Sequence, residues 1–321
     1  MDATEDFNAI HSSKAKAMLK DYYLGRLVGS KPGAESIMVP PTPSLSAGST
    51  SSSRDEPVQL VALNPREKIS LRLSERIELN RNTRIFRFAL PSPDHRLGLP
   101  CGKHVFVYAN VNGESVMRAY TPISSDDDLG KLDLLIKVYF AGENPQHPPG
   151  GKMSQYLDRL KVGDLVNFKG PVGHFTYEGQ GRYLMHKTRG VAKHLSMLAG
   201  GTGITPCYAV MAAVLKDPSD TTTMSLIFAN MTEQDILLKK ELDEFASQHP
   251  DRLKVHYVLS SPPEGWTQGE GRMTIEMMKE HLFPAGEGTL GLMCGPPGLL
   301  DNVCVPGLEA MGYSKASMVL F

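Results

Sequence analysis

Cysteine is scarce in this chain. Its four residues, Cys101, Cys207, Cys294 and Cys304, lie far apart in 321 residues, with no CxxC pair. That spacing excludes a disulfide framework and a cysteine-based zinc site, and it suits a reducing compartment, expected to be the cytoplasm. Ten histidines show no metal-ligand spacing. Long apolar runs are missing too, so no segment approaches the roughly 20 residues that a membrane helix needs. Neither sign of charge dominates: 34 basic residues face 35 acidic ones, for a net charge of −1. Such a balance gives no footprint for nucleic acid or for a membrane surface. The opening residues, Met1 to Asp6, lack the basic-then-apolar order of an export signal, so the Asn230-Met231-Thr232 sequon is read as chance. No internal repeat is visible, and the spaced GxGxxG fingerprint is absent.

What is present changes character along the chain. Residues 1–28 carry Phe7, Ile10, Ala17, Met18 and Leu24 at roughly helical spacing, too few to bury a core. Residues 29–65 are expected to be a hinge. They hold Pro40-Pro41-Thr42-Pro43 and a Ser/Gly/Thr run, a composition that cannot offset its own ordering entropy. Residues 66–182 then alternate as short strands, predicted at 69–77, 83–90, 104–111, 116–121, 132–140 and 165–169. Asn, Gly, Pro and Asp turns separate them, and one helix is predicted at 154–160. Six such strands imply a small antiparallel barrel. Residues 183–321 switch to strand-then-helix, with helices predicted at 206–215, 235–247, 274–281 and 299–311. That rhythm implies a doubly wound parallel sheet. The fold class is therefore two-domain, β followed by α/β.

Four motifs carry chemistry. Arg118-Ala119-Tyr120-Thr121 ends a strand, offering a planar fork for a pyrophosphate, an aromatic face, and a hydroxyl for a flavin ring. Gly150-Gly151-Lys152-Met153-Ser154 opens the short helix, whose free amides and dipole suit an anion, with Ser154 expected as the cap. Leu198 to Pro206, with Gly200, Gly201 and Gly203, turns from strand to helix where a doubly wound sheet binds a dinucleotide. Cys294-Gly295-Pro296 ends another strand at the same edge, where a thiol would lie against a nicotinamide. After the strand near Phe228, Asp235, preferred over Glu233, offers a carboxylate to a ribose 2′-hydroxyl, although it could equally cap the next helix. No Arg lies between Phe228 and Lys239 to welcome a 2′-phosphate, which favours NADH over NADPH. In this order, the motifs point to hydride transfer from a nicotinamide to a flavin.

Together they resemble the ferredoxin–NADP reductase superfamily, in its NADH–cytochrome b5 reductase branch, from about residue 66 to the C-terminus. The resemblance implies a FAD-binding barrel and a NAD-binding lobe whose cofactors meet at the interface. It assigns Arg118, Ala119, Tyr120 and Thr121 to FAD, and Ile136-Lys137-Val138-Tyr139 to the adenine and ribityl side. Gly151, Lys152, Met153 and Ser154 go to its pyrophosphate, and Thr205 to the isoalloxazine. Gly200, Gly201, Gly203, Asp235, Cys294, Gly295 and Pro296 would hold NADH, with Thr121 and Cys294 nearest the reacting atoms.

Asp2 to Ser12 is similar to the last third of a cytochrome b5 domain, in which His11 matches the second axial haem ligand. A b5 tail, a Ser-rich hinge and this reductase occur in that order in the eukaryotic assimilatory NADH–nitrate reductases, and Ala119 fits that family. The resemblance implies, in a full-length homodimeric enzyme, haem b in a cytochrome b5-type acceptor domain and a molybdenum cofactor that reduces nitrate to nitrite. The first haem ligand and the molybdenum domain are missing here, so this chain alone is expected neither to hold haem nor to reduce nitrate. The alternatives are a standalone soluble NADH–cytochrome b5 reductase and, from another class, a nucleotide-binding regulatory module without turnover.

Overall fold

Six strands rich in β-branched and aromatic residues build the first lobe: β1 (Ile69–Asn80), β2 (Thr83–Ala89), β3 (His104–Val111), β4 (Glu114–Tyr120), β5 (Lys131–Lys137) and β6 (Leu165–Val172). They pair antiparallel in the order β4-β3-β6-β1-β2-β5 in this computed structural model, which describes residues 60–143, 145 and 148–321. The expected haem-domain remnant with His11, and the expected hinge up to residue 59, lie outside those residues. Alternation along each strand turns Leu73, Phe86, Phe88, Leu134 and Phe168 into one core with no exposed surface. Burying each such side chain contributes about 1.5–3 kcal/mol. Phe88 and Phe168 meet edge to face, with centroids 4.9 Å apart.

Strand positions follow the alternation, and the boundaries shift for local reasons. β1 runs on to Asn80 because it turns tightly into β2. β5 stops at Lys137 instead of 140, since the Val138 amide leaves the ladder for the Asn82 carbonyl at 2.6 Å. Ordered pairing also starts before Arg66: the Ala62 and Leu63 amides donate to the carbonyls of Arg96 and Leu97. The helix α1 spans Lys152–Asp158, two residues earlier than expected, because Gly151 caps it and Ser154 sits inside its first turn.

A further sheet was not foreseen. β7 (Phe175–Gly179), β8 (Arg182–Met185) and β9 (Thr188–Val191) form a three-stranded antiparallel meander. Its strands are only four or five residues long and are interrupted by Glu178, Arg182, Arg189 and two glycines, so apolar alternation is too short to mark them. The meander is tied to the second lobe by Tyr177, whose hydroxyl donates to the buried Asp220 carboxylate at 2.5 Å. The Gln180 and Thr222 amides donate to the same carboxylate.

The second lobe is β10 (His194–Gly200), α2 (Ile204–Lys216), β11 (Thr223–Asn230), α3 (Lys239–Gln248), β12 (Leu253–Leu259), β13 (Gly269–Glu270), α4 (Ile275–His281), β14 (Thr289–Cys294), α5 (Val305–Ala310) and β15 (Met318–Leu320). All six strands are parallel, in the order β13-β12-β11-β10-β14-β15. Leu226 and Phe228 of β11 join Val210 of α2 and Leu242 of α3 in one apolar cluster. Ile227, Val258 and Met293 join Met278 of α4 and Leu308 of α5 in the other. The sheet is thus covered on both faces, as a doubly wound fold requires. Two expected helices differ. The one predicted at 235–247 starts only at Lys239, after a single tight turn at Glu233–Asp235 and a left-handed Leu238 (φ 56°). The one predicted at 299–311 is broken by a π-turn at Leu300–Cys304. Among the described residues, no helix is long and apolar enough to cross a membrane.

Arg84 is 6% exposed, and a charge so buried must be paired. Its Nε lies 3.3 Å from Asp158 Oδ1, at the end of α1, and Arg76 Nη2 lies 3.0 Å from the same oxygen. Replacing Asp158 with Ala leaves both guanidinium groups only the more exposed Glu78 as a carboxylate partner and is expected to cost about 1.5–3 kcal/mol. Urea denaturation of D158A checks this, and a loss below about 1 kcal/mol, the worth of a surface pair, contradicts it.

Candidate active site

The barrel lobe presents its half of the site where β4, β5 and the start of α1 converge. Pairing sets Arg118 opposite Val107, Ala119 opposite Phe106 and Tyr120 opposite Val105. Arg118 donates to the Met117 carbonyl at 2.7 Å and has no carboxylate partner among the described residues. The Tyr120 hydroxyl is pushed up by burial, against the pull of Arg118, with Tyr139 beside it raising it further. Those three side chains therefore share one surface, and Tyr139 leaves half its area open. Thr121 follows directly, half-buried.

Tyr139 is fastened to the glycine turn. The Gly151 amide donates to the Tyr139 carbonyl at 2.8 Å, and the Tyr139 amide donates to Ser154 Oγ at 3.2 Å. Ser154 Oγ also reaches the Gly151 carbonyl, so it braces the turn and does not cap the helix. No side chain caps α1. The first-turn amides of Lys152, Met153 and Ser154 have no intrahelical acceptor and suit an anion such as a pyrophosphate. Ile136 and Val138 are 2% and 1% exposed, so only their backbone is free to line a ligand. Lys152 pairs with Glu114 of β4.

The α/β lobe supplies the other half at the carboxyl edge of its sheet. Ala199 of β10 is level with Cys294 of β14, and Gly200 with Ala229 of β11. At Gly203 a side chain would overlap the Cys294 carbonyl, so only glycine lets the two strand ends close up. Gly201 is left-handed (φ 53°) with open space where a Cβ would stand, leaving room for a ligand. Thr205 is buried, with its hydroxyl on the Thr202 carbonyl at 3.3 Å. Cys294 is half-buried, and burial pushes its thiol up to about 11, so it is neutral at pH 7. Gly295 and Pro296 continue from it beside Gly200.

The two halves meet. β5 packs against the Gly201–Gly203 turn. Leu135, Phe175 and Tyr177 of the barrel side share one apolar cluster with Ile204, Cys207 and Met211 of α2. Lys137 and Asp235, expected on different cofactors, are bonded to each other across the lobes at 2.7 Å. Asp235 also accepts from the Thr232 amide at 3.1 Å and hydroxyl at 2.8 Å. Its carboxylate thus closes the short turn, and α3 starts four residues later. Burial alone would raise the Asp235 carboxyl, but the bonds from Lys137 and Thr232 hold it below the usual aspartate range. Sequence reasoning did not find this pairing, because nothing in either segment names a partner 98 residues away. Among the described residues, no His, Cys, Asp or Glu cluster is poised to hold a metal.

Known proteins match this arrangement. Residues 70–177 match the family described as Oxidoreductase FAD-binding domain, and residues 197–305 match Oxidoreductase NAD-binding domain. The chain is 60% identical over 324 residues to a nitrate reductase [NADH] of Volvox carteri, with all of this chain and 37% of that relative covered. It is 49% identical over 320 residues to a nitrate reductase [NAD(P)H] of Hordeum vulgare, covering 97% of this chain and 36% of the relative. The chain thus spans just over a third of the length of these curated relatives. Among solved structures, the cytochrome b5 reductase domain of Ulva prolifera nitrate reductase aligns with a TM-score of 0.79 and 44% identity. That alignment covers 81% of this chain and 99% of that one.

The Lys137–Asp235 pair has a pH signature. The Asp235 carboxyl lies below its unfolded value, so its contribution is full above about pH 4 and fades as acid protonates it. A double-mutant cycle with K137M and D235N is expected to give a coupling of about 1 kcal/mol at pH 7 that shrinks towards pH 3. A coupling that is constant across that range, or absent at pH 7, contradicts the assignment.

Proposed function

This chain belongs to the nitrate reductase family, in its cytochrome b5 reductase domain, and from that premise we propose a division of labour among its residues. The protein is a NADH-dependent flavin oxidoreductase with one FAD-binding and one NAD-binding domain. The observation that carries the residue assignment is the convergence of an unpaired Arg118, a half-open Tyr139 ring and uncapped helix amides on one surface. That surface stands across a packed seam from the Gly201 opening and Cys294.

The residues fit a flavin dinucleotide. Among the described residues, Arg118 lacks any carboxylate to neutralise it, and the α1 amides lack a side-chain cap. Both call for an anion, and a pyrophosphate answers both. Tyr120 and Tyr139 offer aromatic faces beside it, and Thr121 a hydroxyl at the ring end. FAD held there supplies the chemistry that side chains lack: it takes a hydride as an electron pair and gives electrons up singly.

On the other lobe, Gly201 leaves space for the NADH backbone to pass close to the strand ends, and Cys294, Gly295 and Pro296 form the floor under its nicotinamide. The neutral Cys294 thiol orients that ring without competing for its hydride. No side-chain acid or base is needed, because the bond that breaks is C–H and the pair leaves as hydride. The apolar cluster between the lobes excludes water from the seam, which protects a reduced carrier from side reactions. Asp235, held by Lys137 at the mouth, is the carboxylate nearest in kind to a ribose-binding group and repels a 2′-phosphate. In the longer enzyme, a cytochrome b5-type haem domain would take up the electrons, and a molybdenum cofactor would supply the chemistry that reduces nitrate to nitrite. We place the work in the cytoplasm and in a homodimer. The segments outside the described residues, with His11, belong to that haem domain and its hinge in this reading.

Arg118→Ala removes a charge-assisted contact to the flavin phosphate. It is expected to weaken FAD binding by about ten- to a hundredfold, the equivalent of about 1.5–3 kcal/mol. Flavin fluorescence titration of the stripped protein measures it. FAD retained at wild-type affinity would remove Arg118 from the site.

A further inference from the structure

On β11, the side chains of Met224, Leu226 and Phe228 face the cluster shared with α2, α3 and the barrel lobe. Strand alternation puts Asn230 next on that face, at the strand's carboxyl end. Three apolar residues are thus followed by a carboxamide. Both of its polar atoms, Nδ2 and Oδ1, are buried and neither has a hydrogen-bond partner. The other orphaned atoms in the described residues have an explanation nearby. Those of Arg76, Arg84 and Asp158 belong to one ion cluster, and the His256 ring stacks on His281 at 3.6 Å. Asn230 has none. A buried polar group without a partner loses its water and gains nothing back, so native folds keep few of them.

Its place in the fold points to the reason. Ala229 is level with Gly200, so Asn230 stands one step further out, beside the Gly200–Gly203 turn. Its own carbonyl is fixed by the Ser260 amide at 3.1 Å. The chain then runs directly into the Thr232–Asp235 turn that Lys137 ties to the barrel lobe. Resting on the reading of that edge as the NADH site, we propose that Asn230 is a further dinucleotide-binding residue. Its carboxamide engages a neutral group that both donates and accepts, once the Lys137–Asp235 tie opens. A phosphate only accepts, so it cannot satisfy both atoms. A ribose hydroxyl pair can, and so can the nicotinamide carboxamide. Nothing in the sequence alone sets this Asn apart, because its signal is the absence of a partner in the fold.

The test uses Asn230→Leu, close in shape but apolar, and Asn230→Ala, in the FAD-loaded protein. Melting temperature is followed alongside calorimetric affinity for NAD+ and for ADP-ribose. A binding role predicts a melting temperature equal to or above that of the wild type, because an unpaired group has been removed. It also predicts NAD+ affinity lowered about tenfold or more, the loss of one good hydrogen bond. If ADP-ribose weakens in parallel, the partner is the ribose; if only NAD+ weakens, it is the nicotinamide carboxamide. Unchanged affinity for both ligands overturns the proposal. So does a lowered melting temperature with unchanged affinity, which makes Asn230 a packing residue. Should Asn230→Leu fail to fold, Asn230→Ala is read by the same criteria. Wild-type protein whose flavin NADH does not reduce would instead overturn the reading of the edge itself.

Discussion

The apolar cluster that runs from Leu135, Phe175 and Tyr177 into Ile204, Cys207 and Met211 is the constraint on which the other features depend. Hydride transfer needs two reacting atoms held at about 3–3.5 Å, and the chain divides into a FAD-binding and a NAD-binding domain. Packed interiors do not deform continuously, so a shared core fixes the spacing of the two lobes more firmly than surface contacts would. Polar links then set orientation. Tyr177 reaches Asp220, Cys101 Sγ donates to the Ala209 carbonyl, and Lys216 meets Asp127 at 2.6 Å. The exposed Lys216–Asp127 pair contributes little to stability, whereas the buried Asp220 carboxylate is fully bonded and holds the meander in one place.

The same logic separates binding from chemistry within each lobe. In the proposed reading, phosphate recognition would fall to groups with unsatisfied charge or amides, namely Arg118 and the start of α1. The proposed nicotinamide edge is built from glycines and a neutral thiol. The close approach of Gly203 to Cys294 is a backbone event, and it brings the two strand ends together without any charged side chain. Burial keeps all four cysteine thiols protonated, with Cys101 and Cys304 pushed up to about 12. That chemistry suits an enzyme whose working electrons pass through a carrier and not through sulfur.

Much of this was legible in the sequence, for definite reasons. Alternation between turn residues located the six barrel strands, although β5 is buried at every position from Leu132 to Ile136, and β3 was delimited at 104–111 to the residue. The strand–helix rhythm located the parallel sheet because its strands are apolar on both faces. What was hidden depended on partners distant in sequence. The β7–β9 meander has too few apolar positions to show a period. Ser154 looked like a cap, but the Tyr139 amide claims its hydroxyl. Asp235 looked free for a ribose, while Lys137 and Thr232 hold it. Asn230 looked like half of a chance sequon. For Ser154 and Asp235, local pattern found the element, and a tertiary contact decided what the polar group does.

The most direct test of the central claim is an anaerobic titration of the purified, FAD-loaded chain with NADH and then NADPH, followed by flavin absorbance near 450 nm. The structure predicts bleaching by NADH at much lower concentration than by NADPH, from this chain alone and without haem or molybdenum. A flavin that binds but stays oxidised in excess NADH would contradict the claim that these two lobes hold the cofactors in reacting contact.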